Sequence, residues 1–367
     1  MGKNKNLYAV ILAGGCGTRF WPVSRRLKPK QFLIDLLSTK QNVKSSTTLL
    51  QQTISRILAK VIPANIYVVT GAAYQKEAER QTASFKIPRR NILAEPEGKN
   101  TAPAVCWAAL RIQRIHPDAV MAVLPSDHLI QKKKAFLRVL DEAVRLADGD
   151  HLVTLGIPPT RPETGYGYLK TRPVKGKNIL RVEKFIEKPN LVKAKQFLKS
   201  RDYLWNSGMF VWKVSAILRE FHKYLPKIPQ LLAGATDQSH IKKVWGSMPN
   251  ISVDYGILEK ARNVAAVPAD GIGWSDLGSW ESLAEILAKD KKGNSVTGNV
   301  LTLNCRDSLI QAKGSPRGGH RRLVAAIGLE NMMIIDTPDA VLVCPKHLSQ
   351  DVKKLAAILK QKNLGSV

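Results

Sequence analysis

Three observations predict an α/β protein whose main sheet is mostly parallel and flanked by helices. Over the first 150 residues, short all-apolar runs alternate with stretches in which apolar residues recur at helical spacing. The runs lack a polar alternate face, as strands buried on both sides of a parallel sheet do. A glycine-rich loop follows the first run directly. In layered, Rossmann-like sheets, ligands gather at such corners beyond the carboxyl ends of the strands.

The strand-like runs are 7–12, 65–70, 91–94, 119–124 and 151–155, and the helical stretches between them are 49–59, 73–83, 103–115 and 135–147. From about 158 to 290 the pattern loosens into Pro/Gly-rich turns, with a short strand at 209–212 and helices near 191–199 and 279–288. The charged, turn-rich KDKKGN at 289–294 marks a boundary. Beyond it, five runs (299–303, 308–311, 323–327, 332–336 and 340–343) read as strands and 348–360 as an amphipathic helix. The expected organisation is a catalytic domain over 1–290 and a small β-rich C-terminal domain with a terminal helix over 291–367. No internal repeat or low-complexity tract stands out.

Of 367 residues, 57 are Lys or Arg and 29 Asp or Glu, a net charge of +28. Such an excess attracts nucleic acid, anionic membranes or phosphorylated small molecules. It concentrates in residues 1–34 and 291–322 and is otherwise diffuse, as on a solvated basic surface. The four cysteines, Cys16, Cys106, Cys305 and Cys344, form no CxxC pair, which argues against a zinc site or a disulfide framework and for reduced thiols. No apolar run approaches the ~20 residues that cross a bilayer, and the N-terminus lacks the features of a signal peptide. The expectation is a soluble, cytoplasmic protein with no membrane partner.

The strongest chemical signal is Leu12-Ala13-Gly14-Gly15-Cys16-Gly17-Thr18-Arg19. Three glycines in four positions let backbone N–H groups approach a phosphate without a Cβ in the way. Phe20 stands where a GxGxxG motif needs its third glycine, and no GxxxxGK[ST] occurs. Cys16 reads as a small filler. Taken alone the loop is also an ordinary strand-to-helix turn. Together with Trp21-Pro22 and Lys28-Pro29-Lys30-Gln31-Phe32-Leu33, it resembles the sugar-1-phosphate nucleotidylyltransferases, and among them the mannose-1-phosphate guanylyltransferases. In that family the segment embraces the nucleotide triphosphate, which implies phosphate contacts by Arg19 and Lys30 and nucleotide binding by Leu12, Ala13, Gly14, Gly15, Gly17 and Thr18. Expulsion of pyrophosphate from the α-phosphorus needs such fixed cations.

The resemblance extends over most of residues 7–345. Glu95-Pro96 followed by Asn100-Thr101-Ala102-Pro103-Ala104 is similar to the segment that helps hold base and ribose, although Asn or Thr before Ala-Pro is also a good helix cap. Leu124-Pro125-Ser126-Asp127-His128 ends an apolar run, and the resemblance makes Asp127 a magnesium ligand with Asp276 of Gly273-Trp274-Ser275-Asp276-Leu277-Gly278 as its partner. Ser126 is assigned to the nucleotide and His128 to structure. Mg²⁺ commonly takes one or two carboxylates plus phosphate oxygens. For the sugar phosphate the candidates are Gly165 and Tyr168 in a Gly/aromatic turn, Glu187 and Lys188 in Phe185-Ile186-Glu187-Lys188-Pro189, and Asn206 in Trp205-Asn206-Ser207-Gly208-Met209-Phe210. Residues 253–260 match a family segment to which no chemistry is assigned.

The activity implied is GTP + mannose 1-phosphate → GDP-mannose + pyrophosphate, with Mg²⁺ as cofactor and in-line attack by the sugar phosphate. The alternatives are a uridylyl- or thymidylyltransferase of the same class, and an inactive nucleic-acid-binding or regulatory relative whose support is the basic charge alone. Family C-terminal modules of this kind commonly mediate dimers, so a homodimer is expected. Many bacterial relatives carry a further isomerase domain. With the sequence ending at Val367, a single activity is expected. The basic segment 313–322 resembles an insertion and has no functional reading.

Overall fold

The protein is described from a computed structural model, which covers residues 4–15, 17–33, 47–174, 179–234, 237–313 and 322–362. Cys16 and positions 314–321 of the basic insertion lie outside the described residues. In chain order the strands are β1 (Leu7–Ala13), β2 (Ile66–Gly71), β3 (Ile92–Glu95), β4 (Val120–Pro125), β5 (Leu129–Ile130), β6 (Leu152–Ile157), β7 (Tyr168–Pro173), β8 (Leu180–Ile186), β9 (Tyr203–Lys213) and β10 (Val264–Pro268). After them come β11 (Trp274–Ser275), β12 (Ser295–Thr297), β13 (Val300–Leu303), β14 (Leu309–Ala312), β15 (Val324–Ile327), β16 (Met332–Asp336) and β17 (Val341–Pro345). No helix among the described residues is long and apolar enough to cross a membrane.

Two compact units emerge, and neither is continuous in sequence. The first comprises Met1–Gly14, Thr53–Ser126 and Ile130–Trp274; the second comprises Gly15–Gln52, Asp127–Leu129 and Ser275–Val367. This division differs from consecutive segments meeting at 290, because apolar residues of the glycine-loop segment pack with residues beyond 275.

The first unit is built on a nine-stranded sheet in the order β3-β2-β1-β4-β9-β6-β10-β8-β7. β1 is buried along nearly its whole length and pairs in parallel with β2 and β4, Ala9 facing Ile66 and Ala122. This half is the parallel sheet that the all-apolar runs predict. The other half is mixed: β9 runs antiparallel between β4 and β6, and β7 and β8 add antiparallel strands. Helix Lys133–Ala147 shows how the cover forms. Phe136, Leu140, Ala143 and Ala147 lie on one face and are buried, while the basic residues face outward. Helix Thr101–Gln113 is apolar almost all round and correspondingly buried. The strand order reverses between β1 and β4, so the crevice beyond their carboxyl ends is where a doubly wound sheet takes a ligand. Gly14 and Ser126 stand at those ends.

In the second unit, β12, β14 and β16 stack in parallel, with β17 antiparallel at one edge; β13 and β15 form a separate parallel pair. Its core gathers Phe20 and Trp21 with Leu277, Trp280, Leu309, Met333, Ile335, Val352 and Ala356. The Phe20 and Trp280 rings lie 5.0 Å apart, and Trp280 Nε1 donates to the Trp21 carbonyl at 3.0 Å. Burying a Phe side chain of this kind stabilises by roughly 1.5–3 kcal/mol. The Phe-Trp-Pro signature therefore anchors the glycine-loop segment.

Candidate active site

In the second unit a cavity of about 280 Å³ is bounded by Gly15, Gly17, Thr18 and Arg19 on one side and by Asp127, His128, Asp276 and Gly278 on the other. A Cβ at Gly15 would meet nothing within 4 Å, so the loop backbone is open to an approaching group. Gly17 has φ +64°, and a Cβ there would come within 2.6 Å of Lys30 Cβ, so glycine is required on both counts. Two bonds fix the loop: Ser24 Oγ donates to the Gly17 carbonyl at 2.6 Å and Gln31 Nε2 to the Gly15 carbonyl at 3.0 Å.

Lys30 lies at the centre of this region and is buried. Its ammonium pairs with Asp127 Oδ2 at 2.9 Å and donates to the carbonyls of Asp276 and Leu277 at 2.8 and 2.7 Å. An ammonium has three N–H donors, and all three are committed, so the phosphate contact expected of Lys30 is not made available by this geometry. Burial pushes the Asp127 carboxyl up, but the Lys30 and His128 charges and the hydrogen bond from Lys30 outweigh it and hold the group below the usual carboxylate range. Asp276 Oδ1 accepts from the Gly278 N–H at 2.9 Å, closing a tight turn. Leu277 within that turn has φ +47°. A branched side chain rarely adopts this conformation, and it persists only where the surroundings enforce it.

Among the described residues no group of three or more His, Cys, Asp or Glu side chains is placed to hold a metal ion by itself. Asp127 and Asp276 nevertheless border one cavity with glycine backbone. That donor set fits Mg²⁺, which completes its shell with phosphate oxygens and water.

In the first unit, Asn206 is the best-fixed of the sugar candidates. Its Oδ1 accepts from Thr154 Oγ1 at 2.9 Å and from the Gly208 N–H at 3.3 Å, and its Nδ2 donates to Asp254 Oδ1 at 2.9 Å. The second amide N–H makes no hydrogen bond to another described residue. The β6–β9 register shifts between Thr154 and Gly156, the latter facing Asn206, and such a bulge re-aims side chains. Burial, and then the neighbouring Glu187, raise the Asp254 carboxyl to about 6. Glu187 Oε1 holds Lys188 Nζ at 2.7 Å, with Lys188 itself at φ +46°. Gly165 donates its N–H to Glu163 Oε1 at 2.9 Å.

Tyr168 departs from its assignment. It is wholly buried, its ring lies 5.3 Å from Phe197, and no face is open to a sugar. Tyr166 instead stands edge-on to both Trp205 and Trp274, at 5.2 and 5.4 Å.

At the nucleotide candidates, Asn100 caps its helix through Oδ1, which accepts from the Thr101 N–H at 3.0 Å, and Thr101 Oγ1 accepts from the Val253 N–H at 2.9 Å. The capping reading of this segment is thus realised in the structure. Leu12 O accepts from the Ser126 N–H at 3.0 Å, and Ala13 O from Thr70 Oγ1 at 2.9 Å. Glu95 is buried 3.1 Å from where a Gly14 Cβ would be. Burial raises its carboxyl to about 7, and its Oε1 has no hydrogen-bond partner. Thr154 and Asp254 were not among the sequence candidates, and Glu95 entered only as part of the segment likened to a base and ribose site. The only signals were the Glu-Pro pair and the unassigned 253–260 segment.

Residues 8–293 match the nucleotidyl transferase family, described as Nucleotidyl transferase. The chain belongs to this family. Residues 298–359 match the MannoseP isomerase/GMP-like beta-helix domain, in keeping with the parallel stack of β12, β14 and β16. Among relatives of this nucleotidyl transferase, the Xanthan biosynthesis protein XanB of Xanthomonas campestris is 39% identical over 359 residues, covering 96% of this chain and 73% of XanB. The mannose-1-phosphate guanylyltransferase of Escherichia coli is 36% identical over 363 residues, covering 95% of this chain and 75% of that protein. Among solved structures, a Thermus thermophilus protein described as mannose-1-phosphate geranyltransferase superposes with a TM-score of 0.82 at 30% identity, covering 97% of this chain and 99% of its own. The resemblance carried by the glycine loop and the Lys-Pro-Lys-Gln segment is borne out at the level of the family.

Proposed function

We propose that this nucleotidyl transferase moves GMP from GTP to mannose 1-phosphate, giving GDP-mannose and pyrophosphate. The observation that carries the proposal is the cavity where open glycine backbone, Arg19 and the Lys30-linked Asp127 and Asp276 converge. The likeness to the Escherichia coli guanylyltransferase supports guanine and mannose as base and sugar. The unpaired Glu95 oxygen suits the N–H donors on guanine's Watson–Crick edge.

In the reaction a phosphate oxygen of the sugar phosphate attacks the α-phosphorus of GTP in line. A new P–O bond forms, the α–β bridging P–O bond breaks, and its electron pair leaves on pyrophosphate. The attacking phosphate is already anionic, so no general base is required. Leu12, Ala13, Gly14, Gly15, Gly17 and Thr18 bind the nucleotide with Asn100, Thr101 and Ser126. Arg19 offsets charge on the triphosphate and the leaving group. Lys30 keeps Asp127 ionised and pins the Asp276 turn, which fixes both carboxylates where Mg²⁺ would bind. That ion, when bound, supplies positive charge to the phosphate oxygens. Glu187 and the remaining Asn206 N–H read sugar hydroxyls, Lys188 meets the incoming phosphate, and Gly165 with the Tyr168 turn shapes that pocket. Residues 1–290 are assigned as the catalytic domain and 291–367 as the β-rich C-terminal domain, in a cytoplasmic homodimer.

The test is pyrophosphate release with Mg²⁺, mannose 1-phosphate and each of GTP, ATP, UTP, CTP and dTTP. Release predominantly with GTP is expected. Release with UTP or dTTP would keep the phosphate chemistry and overturn the base. Silence with all five, and again with glucose 1-phosphate, would overturn the transferase reading.

A further inference from the structure

We infer that Lys353, on the C-terminal helix Val352–Gln361, is a phosphate-binding residue of the cavity that holds Arg19, Asp127 and Asp276. The inference rests on the transferase reading and adds a charge contributed by the β-rich C-terminal domain.

Three cationic side chains line the cavity: Arg19, Lys30 and Lys353. Lys30 has no donor to spare, since Asp127, Asp276 and Leu277 take all three. A phosphate entering the cavity is therefore met by Arg19 and Lys353. Lys353 is exposed and makes no ion pair or side-chain hydrogen bond to another described residue, whereas its neighbour Lys354 pairs with Asp351 at 2.7 Å.

Its position is fixed from beneath. Val352 and Ala356 are buried in the core that holds Phe20, Trp21 and Trp280, so the helix cannot turn Lys353 elsewhere without exposing them. Lys353 lies in the first turn of the helix, directly after the 3₁₀ turn that ends at Asp351. An unpaired lysine at that end, beside glycine N–H groups in a cavity with a second unpaired cation, fits an anionic occupant. As a flexible point charge, lysine suits phosphate oxygens whose position changes between bound triphosphate and departing pyrophosphate.

The experiment compares wild type with Lys353→Ala, Lys353→Gln and Lys353→Arg, using Lys354→Ala as a control outside the cavity. KM is measured for GTP, for mannose 1-phosphate and for pyrophosphate in the reverse reaction, and pyrophosphate binding is measured by calorimetry. The neutral variants should weaken GTP and pyrophosphate by about tenfold, as loss of one charged hydrogen bond does. Mannose 1-phosphate KM and the melting temperature should stay near wild type, Lys353→Arg should recover most of the loss, and Lys354→Ala should match wild type. Unchanged GTP and pyrophosphate affinity in an active Lys353→Ala enzyme would overturn the inference. An equal loss in Lys354→Ala would also overturn it, by showing a diffuse field effect. If wild type turns over no nucleotide, the transferase reading fails, and calorimetry with pyrophosphate alone still decides whether Lys353 holds phosphate.

Discussion

Lys30→Met is the most informative perturbation of the phosphate cavity. Methionine keeps much of the stem and removes the ammonium, which lies 5.5 Å from the Phe20 ring centroid. Three acceptors then lose their donor: the Asp127 carboxylate and the Asp276 and Leu277 carbonyls. A hydrogen bond to a charged group contributes ~1.5–3 kcal/mol, and a buried acceptor left unpaired costs ~1–3 kcal/mol. The Asp127 side chain is 38% exposed, so water recovers part of its share. The net loss is about 3 kcal/mol, which at ~2–4 °C per kcal/mol lowers Tm by roughly 6–12 °C. Calorimetric melting of wild type, Lys30→Met, Asp127→Asn and the double variant measures both the loss and its coupling, expected at ~1 kcal/mol or more. Because Asp127 is held below its ordinary pKa, the pair contributes above that ordinary value, and its contribution is lost as pH falls through the depressed one. Lys30→Met should therefore lose stability less steeply in acid than wild type does. A Lys30→Met protein that melts within ~2 °C of wild type, yet has lost turnover, would refute the argument that the ammonium is committed to the fold.

Asp276→Asn should lower turnover at least ~100-fold at saturating Mg²⁺, and wild-type kinetics would remove Asp276 from the site. Lys188→Ala should mainly raise KM for mannose 1-phosphate; a change confined to GTP would misplace the two substrates. Thr154→Val deprives Asn206 Oδ1 of a donor and should raise the sugar-phosphate KM with little effect on that for GTP, as steady-state kinetics will read. The raised pKa of buried Glu95, about 7 against 4.5, makes the folded state bind the extra proton, so stability declines as pH rises through that window. Glu95→Gln should flatten that decline and melt above wild type at pH 8, and an unchanged profile would show that Glu95 is not the group responsible.

The parallel half of the sheet was legible because strands such as Leu7–Ala13 are apolar on both faces, which leaves few alternatives to burial. The mixed half was not. Tyr203–Lys213 is a single strand of 11 residues, of which the sequence pattern predicts only the last part. Within this strand the Asn206 amide is satisfied largely by the Thr154 and Asp254 side chains, 52 and 48 residues away, which no local pattern announces. Strand Leu180–Ile186 is partly exposed and carries charges, so no apolar run announces it. At the site, the glycine loop, Asp127 and Asp276 are visible because local motifs carry them. Tyr168 was assigned a role that its burial contradicts, since a Gly/aromatic turn does not reveal which of its two tyrosines faces inward. Lys353 leaves no trace in any motif, because its place depends on helix packing alone.

The discontinuity of the second unit bears on the order in which the protein is made. The contacts that seat the glycine-loop segment span 246 residues from Lys30 to Asp276 and 259 from Trp21 to Trp280. At ~5–20 residues per second, ribosomal synthesis separates those partners by roughly ten to fifty seconds. During that interval Phe20 and Trp21 lack most of the core they enter, which is drawn largely from Leu277 onward. The first unit's sheet has all its strands by Pro268, whereas the cavity that Arg19 and Asp127 line waits for Asp276 and then for Lys353. The cavity is thereby completed only after every strand of the large sheet has been made, and a product that stops between Pro268 and Asp276 would have those strands without an assembled cavity.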